Sequence, residues 1–118
     1  TSIPQAVTML SHFNSKAEDG AAKEFIDKYV AAYGADTLNQ FGASAYDCVY
    51  AIYYAMEEVI AEGTEISVTI SASDLCEILM AKFQGGFTFS GVTGDNITWD
   101  ENGYVAKGAV KYTLKEAN

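Results

Sequence analysis

GVTGDNITWDENG, residues Gly91–Gly103, is the stretch from which the architecture of this chain can be read. Within it Asn96-Ile97-Thr98-Trp99 alternates polar and apolar, the period of a half-buried strand. Asn102-Gly103 supplies the left-handed backbone that a tight turn needs. From Tyr104 a strand-like pattern resumes, with Val110, Tyr112 and Leu114 on one face and Ala109, Lys111 and Thr113 on the other. The pattern predicts a β-hairpin in the C-terminal part of the chain, and the residues before it have to supply what that hairpin packs on.

Working back from it, Phe87-Thr88-Phe89 reads as one more short strand. Leu75, Ile78, Leu79 and Phe83 recur at helical spacing, capped at the start by Ser71 or Ser73 and ended by Gln84-Gly85-Gly86. Ile66-Ser67-Val68-Thr69-Ile70 alternates like a strand, an extended linker being the alternative. Ser44-Ala45-Tyr46-Asp47 has the form of a capping box opening a helix that runs to about Glu62 and stops at Gly63. From Tyr46 to Met56 that helix is apolar or aromatic almost all round, so it is expected to be covered on more than one side. Phe25, Ile26, Tyr29, Val30 and Tyr33 mark an amphipathic helix from Ala21 with Gly34 as its cap, and Val7 to Phe13 reads as a strand running into a polar loop, Asn14 to Asp19. The fold class is α/β, with about three helices, short strands and a C-terminal hairpin. Helices this hydrophobic beside so little strand predict a part of a larger sheet-and-helix structure.

Composition narrows the function. With 118 residues and 49% hydrophobic content the chain can build one packed domain. Its net charge is −9 and its seven basic residues are all Lys, so it lacks the arginines that read phosphate and guanine edges, and nucleic acid is not expected as a partner. No apolar run approaches the ~20 residues of a membrane span, and no charged-then-apolar leader precedes Val7. A chain beginning at Thr1 reads as a processed or truncated product. Cys48 and Cys76 are expected as small buried side chains on packed helices, with a disulfide as the alternative; with His12 as the sole histidine they cannot close a zinc site.

Three stretches, in order, resemble the C-terminal part of the type 1 periplasmic binding proteins, in particular the branched-chain amino-acid binding group. Lys23-Glu24-Phe25-Ile26-Asp27-Lys28-Tyr29 with Tyr33-Gly34 is similar to that family's Phe-x-x-x-Tyr-x-x-x-Tyr-Gly helix. Ala45-Tyr46-Asp47-Cys48-Val49-Tyr50-Ala51 resembles its Ala-Tyr-Asp-Ala-Val helix start, with Cys48 where Ala is common. Phe89-Ser90-Gly91-Val92-Thr93-Gly94 and Ile97-Thr98-Trp99-Asp100-Glu101-Asn102-Gly103 resemble its Phe-x-Gly-x-Thr-Gly-x-Ile-x-Phe-Asp-x-x-Gly signature, with Trp99 in place of Phe, and Lys107 to Lys115 fits its last strand. The family's chain is about three times as long, so the resemblance implies that much of both lobes has no counterpart here. It divides the sequence into a helical part of one lobe, residues 1–90, and a hinge-crossing turn with the C-terminal hairpin, residues 91–118. It gives Gly91 and Gly94 a hinge role, with tight turns as the plain alternative.

Enzyme chemistry is not expected. His12 has no nucleophile or carboxylate partner at a recognisable spacing, and neither cysteine has an activating base. Asp95, Asp100 and Asn102 lack the spacing of a calcium loop, Asn96-Ile97-Thr98 is a formal glycosylation sequon, and no cofactor is implied. Tyr46 is the first candidate for ligand contact: the resemblance places it at a pocket-lining position, while core packing in an aromatic-rich helix is the alternative. Phe41 and Ser44 come second. Asp47 is read as a cap, with a ligand ammonium as its other partner, and Tyr50, Tyr53 and Tyr54 as packing residues.

The function these features imply is that of an extracytoplasmic solute-binding protein. It would capture a small molecule, an amino acid by resemblance, and deliver it to the permease of an ABC transporter. In the family most contacts to the ligand's charged ends come from segments without a counterpart here, so weak binding, or none, by this chain alone is expected. A ligand-sensing regulatory domain of the same fold, or a free-standing interaction domain, are the rival readings. Uncovered helices and a sheet edge also predict an intertwined homodimer.

Overall fold

The computed structural model describes residues 6–114, apart from the side chains of Tyr112 and Leu114, and it is a mixed α/β structure. In chain order the elements are β1 (Val7–Ser11), α1 (Gly20–Tyr33), α2 (Gln40–Ala61), α3 (Ala72–Gln84), β2 (Phe89–Gly91), β3 (Gly94–Trp99), β4 (Val105–Ala106) and β5 (Val110–Leu114). They form two small antiparallel sheets, β1-β5 and β2-β3-β4.

The Asn102-Gly103 turn is where the sequence put it. Gly103 takes φ 80°, its amide donates to Asp100 O, and the Asp100 carboxylate accepts from the amides of Asn102 and Tyr104 at 2.9 Å each. The second arm of this hairpin is short, however: Trp99 pairs with Val105 and Thr98 with Ala106, and there the ladder ends. Residues 110–114 do not continue it. They pair in register with β1 from Ser11↔Val110 to Val7↔Leu114, so the two ends of the described chain run together as one ribbon. A period-2 pattern states that a strand forms and which faces it has; its partner is set by where the chain turns. The expected grouping of Val110 with Tyr112 and Leu114 on one face, and the family strand's end at Lys115, lie outside the described side chains and residues.

Helix α2 corrects the expected capping box. It begins at Gln40, with Asn39 as N-cap, its Oδ1 accepting from the amides of Phe41 (3.0 Å) and Gly42 (2.9 Å). Leu38, just before the cap, packs into the same cluster as Ala43 in the next turn, which fixes the entry of the chain as a hydrophobic staple does. Ser44 and Asp47 therefore stand inside the helix, where their amides already have intrahelical partners. Ser71 caps α3 by accepting from Asp74 N at 3.0 Å. Residues 66–70 form a turn rather than a strand, closed by Ile70 N donating to Ser67 O at 3.1 Å, with Val68 fully exposed.

The buried face of α2 is made of small residues. Ala43, Asp47, Ala51, Ala55 and Val59 recur every four positions and are all buried. A seam of this kind lets a sheet and a turn approach the helix axis closely, and two clusters form along it. Phe13, Phe25, Ala43 and Val92 make one, joined by Ile26, Tyr29 and Leu38. Ala51, Ala55, Phe87, Phe89 and Ile97 make the other, joined by Leu79, Phe83 and Trp99. Most of the large apolar residues of α2 stay outside: Val49 is 68% exposed, and Ile52, Tyr53, Tyr54 and Ile60 are exposed as well. Cys48 and Cys76 are also exposed and unbonded, contrary to the expected burial, since both lie off the small-residue seam and off the α3 stripe. The expected cover of α2 on more than one side is not found among the described residues, where only its line of small residues is buried.

Candidate functional site

The geometry of the site starts from Asp47. Its side chain points from the middle of α2 into the turn between β2 and β3, where Gly91 pairs with Gly94 and Val92-Thr93 are the two loop residues. Oδ1 accepts from Val92 N at 2.9 Å; Oδ2 accepts from Thr93 N at 2.8 Å and from Thr93 Oγ1 at 2.5 Å. Lys107 Nζ in turn donates to Thr93 Oγ1 at 3.1 Å. Asp47 is 5% exposed and Thr93 1%, so a buried carboxylate is held by three donors, which satisfies the acceptor capacity that burial would otherwise leave costly. Asp47 thus caps a turn distant in sequence rather than its own helix start, and its carboxylate is already occupied by protein donors.

This anchor explains Gly91. A Cβ there would stand 2.6 Å from Asp47 Cγ and 2.6 Å from Phe89 Cε1, so only glycine lets β2 pass this close to α2. Gly94 opens β3 on the other side of the same two-residue loop. Both glycines lie within the three-stranded sheet whose β2-β3 turn is held by Asp47 of α2. β3 also carries one extra residue against β2, with Asn96 at φ 52° and its amide donating to Ser90 Oγ at 3.0 Å, a bulge that Asn tolerates well.

Beside the anchor runs a ladder of aromatic rings. Tyr33, Tyr29, Phe25, Tyr46, Tyr50, Tyr54 and Phe89 follow one another with successive centroids 4.8 to 6.2 Å apart, tilted to one another throughout. The arrangement follows from helical spacing: Phe25, Tyr29 and Tyr33 recur every four residues on α1, and Tyr46, Tyr50 and Tyr54 do so on α2. Tyr46 sits at the junction, 4.9 Å from the Phe25 ring and 4.8 Å from the Tyr50 ring, and it is 37% exposed. The neighbouring Tyr50 hydroxyl, then partial burial, hold the Tyr46 hydroxyl above its ordinary pKa.

Two cavities open along this ladder. One, about 180 Å³, lies between α1, α2 and β2 and is lined by Glu24, Phe25, Lys28, Tyr46, Tyr50 and Phe89 among others. The other, about 350 Å³, is lined by Phe25, Lys28, Tyr29, Tyr33, Gly42 and Tyr46. They share Phe25, Lys28 and Tyr46. The structure therefore brings Tyr46 to a groove and sets Asp47 and Gly91 on the edge of its smaller cavity, while Phe41 (76% exposed) and Ser44 line neither. Lys28 and the α1 rings were missed as site residues. The signal for them was present, since aromatics every four residues on two neighbouring helices face each other wherever those helices pack.

His12 follows β1, with Nδ1 3.1 Å from Gly108 O, which ties the base of the ribbon. Among the described residues no group of three or more His, Cys, Asp or Glu side chains could hold a metal ion, and no helix is long and apolar enough to cross a membrane. Comparison with protein-family models, with curated proteins and with solved structures finds no match to this chain. The chemistry open to the groove is binding by ring faces, tyrosine hydroxyls and one ammonium.

Proposed function

We propose that the chain is part of an extracytoplasmic solute-binding protein of the type 1 periplasmic-binding class, which closes around a small molecule and hands it to the permease of an ABC transporter. The observation that carries this reading is the aromatic groove between α1 and α2 with Tyr46 at the junction of its two cavities. A concave, largely apolar surface with a few polar groups is what a small-molecule site requires. The resemblance of the three motifs assigns the class, and by resemblance the ligand is an amino acid. In this reading β1 and β5 leave the unit side by side, and further structure covers the exposed side of α2. As a free 118-residue species, the chain is proposed to satisfy those surfaces by pairing with a second copy.

A ligand that binds only the folded chain stabilises it by about 2.7 kcal/mol at a hundredfold excess over its Kd. Thermal unfolding in the presence of millimolar leucine, isoleucine, valine and aromatic acids is expected to raise Tm by several degrees for at least one of them. A flat result across the panel, with the folded state verified by circular dichroism, would count against a solute site formed by this chain on its own. The interaction-domain reading is favoured by the exposed apolar residues Val49, Ile52 and Ile60 on α2. It predicts that the ligand panel is silent.

A further inference from the structure

The larger cavity has an unusual lining: four aromatic rings, from Phe25, Tyr29, Tyr33 and Tyr46, one glycine, and Lys28 as its sole charged group. In a chain of net charge −9 this places an isolated positive charge on an aromatic floor. Among the described residues Lys23 is tied to Asp27 and Lys82 to Glu58 and Glu62, whereas Lys28 makes no ion pair. The Tyr29 hydroxyl is already engaged with Thr37, 3.0 Å from its Oγ1 and 3.3 Å from its carbonyl oxygen. The cavity thus offers stacking surface and a cation and contains no carboxylate that could receive an ammonium. Glu24, one turn before Lys28, lines only the smaller cavity, so an anionic ligand is steered to the Lys28 end.

We infer that this groove selects an aromatic carboxylate: a planar aromatic body lies along the Phe25 and Tyr46 rings, and its carboxylate meets the Lys28 ammonium. The inference rests on reading the groove as a solute site and narrows its ligand class. An aliphatic amino acid would find no carboxylate for its ammonium in the larger cavity and would bury no ring against the ladder. Stacking between the rings and a planar ligand provides affinity that depends little on substituents, and the single cation provides selection by charge.

The probe is indole-3-acetate, titrated into the 118-residue chain and followed by saturation-transfer NMR and calorimetry, with 3-methylindole, tryptamine and leucine as comparators. Indole-3-acetate is expected to bind about tenfold more tightly than neutral 3-methylindole, and tryptamine more weakly than both. Lys28→Gln should erase the advantage of indole-3-acetate while leaving 3-methylindole unchanged, and Lys28→Arg should restore it. Tyr46→Ala should weaken both aromatic ligands. Salt should weaken indole-3-acetate alone. Tryptamine binding as well as indole-3-acetate, or a Lys28→Gln variant that keeps the preference, would overturn the inference. Leucine binding with the aryl acids silent would overturn the ligand class and leave the solute-binding reading standing. Silence of all four probes would overturn the inference together with a solute site formed by this chain on its own.

Discussion

Asp47 is the residue on which the most structure converges. Removing its carboxylate leaves the buried amides of Val92 and Thr93 without acceptors and the Thr93 hydroxyl with Lys107 Nζ as its remaining partner. Each unsatisfied buried group costs about 1–3 kcal/mol. Asp47→Ala is therefore expected to lose about 3 kcal/mol or more in urea unfolding, seen as a lower midpoint at unchanged slope. Asp47→Asn keeps the shape but sets an amide NH₂ against a donor, and should lose about 2 kcal/mol. A loss below about 1 kcal/mol for the alanine variant would mean that the turn does not depend on this anchor.

Between elements, the contact most open to measurement is the one linking α2 to α3. Lys82 reaches Glu58 at 2.8 Å and Glu62 at 2.5 Å across the helix pair. Its hydrogen bonds to those two carboxylates, with their negative charge, hold its pKa above the ordinary lysine range. The folded state therefore binds this proton more tightly than the unfolded chain. The stabilisation is fully present below the unfolded lysine value and is lost as pH rises through the raised folded one. The stability difference between the wild-type chain and Lys82→Met is expected to stay constant from pH 7 to pH 9 and to shrink as alkaline titration proceeds. A difference that already shrinks near pH 8 would contradict the assigned ion pairs. The Lys23–Asp27 pair on α1 is exposed and of the i,i+4 kind, and contributes little.

At the scale of the whole molecule the surface is large for the mass. The radius of gyration is 17.9 Å, against about 13.5 Å for a compact domain of this length. The accessible area is 8438 Å², against about 6,200 Å² for a folded monomer of 12.7 kDa. The β1-β5 ribbon contributes through Val7, Met9, Leu10 and Val110, all exposed, and a two-stranded ribbon by itself is marginally stable in water. The excess is larger than the ~800 Å² per partner of an ordinary interface. Light scattering after size exclusion is accordingly expected to give twice the 12.7 kDa chain mass for the free 118-residue species. A monodisperse monomer would exclude self-pairing as the way these surfaces are covered.

How much of this was legible beforehand depended on how far each decision reaches along the chain. The α1 stripe and its Gly34 stop and the Asn102-Gly103 turn are settled by residues within four or five positions of one another, so period and turn chemistry were enough, whereas the cap of α3 was legible only as Ser71 or Ser73. Composition likewise settled the acidic surface and the absence of arginine. The groove was half legible: Tyr46 was named, while Lys28 and the α1 rings became part of it only when two helices met. Three decisions belonged to tertiary contacts alone. β5 paired with β1, across nearly the whole chain, instead of with β3. Asp47 turned from a local cap into the anchor of a turn 45 residues away. The side of α2 that became buried was its line of small residues, because close approach of β2 and the Asp47-bound turn required short side chains there. Hydrophobicity by itself could not choose that side, since α2 is apolar around most of its circumference, and the choice fell to shape.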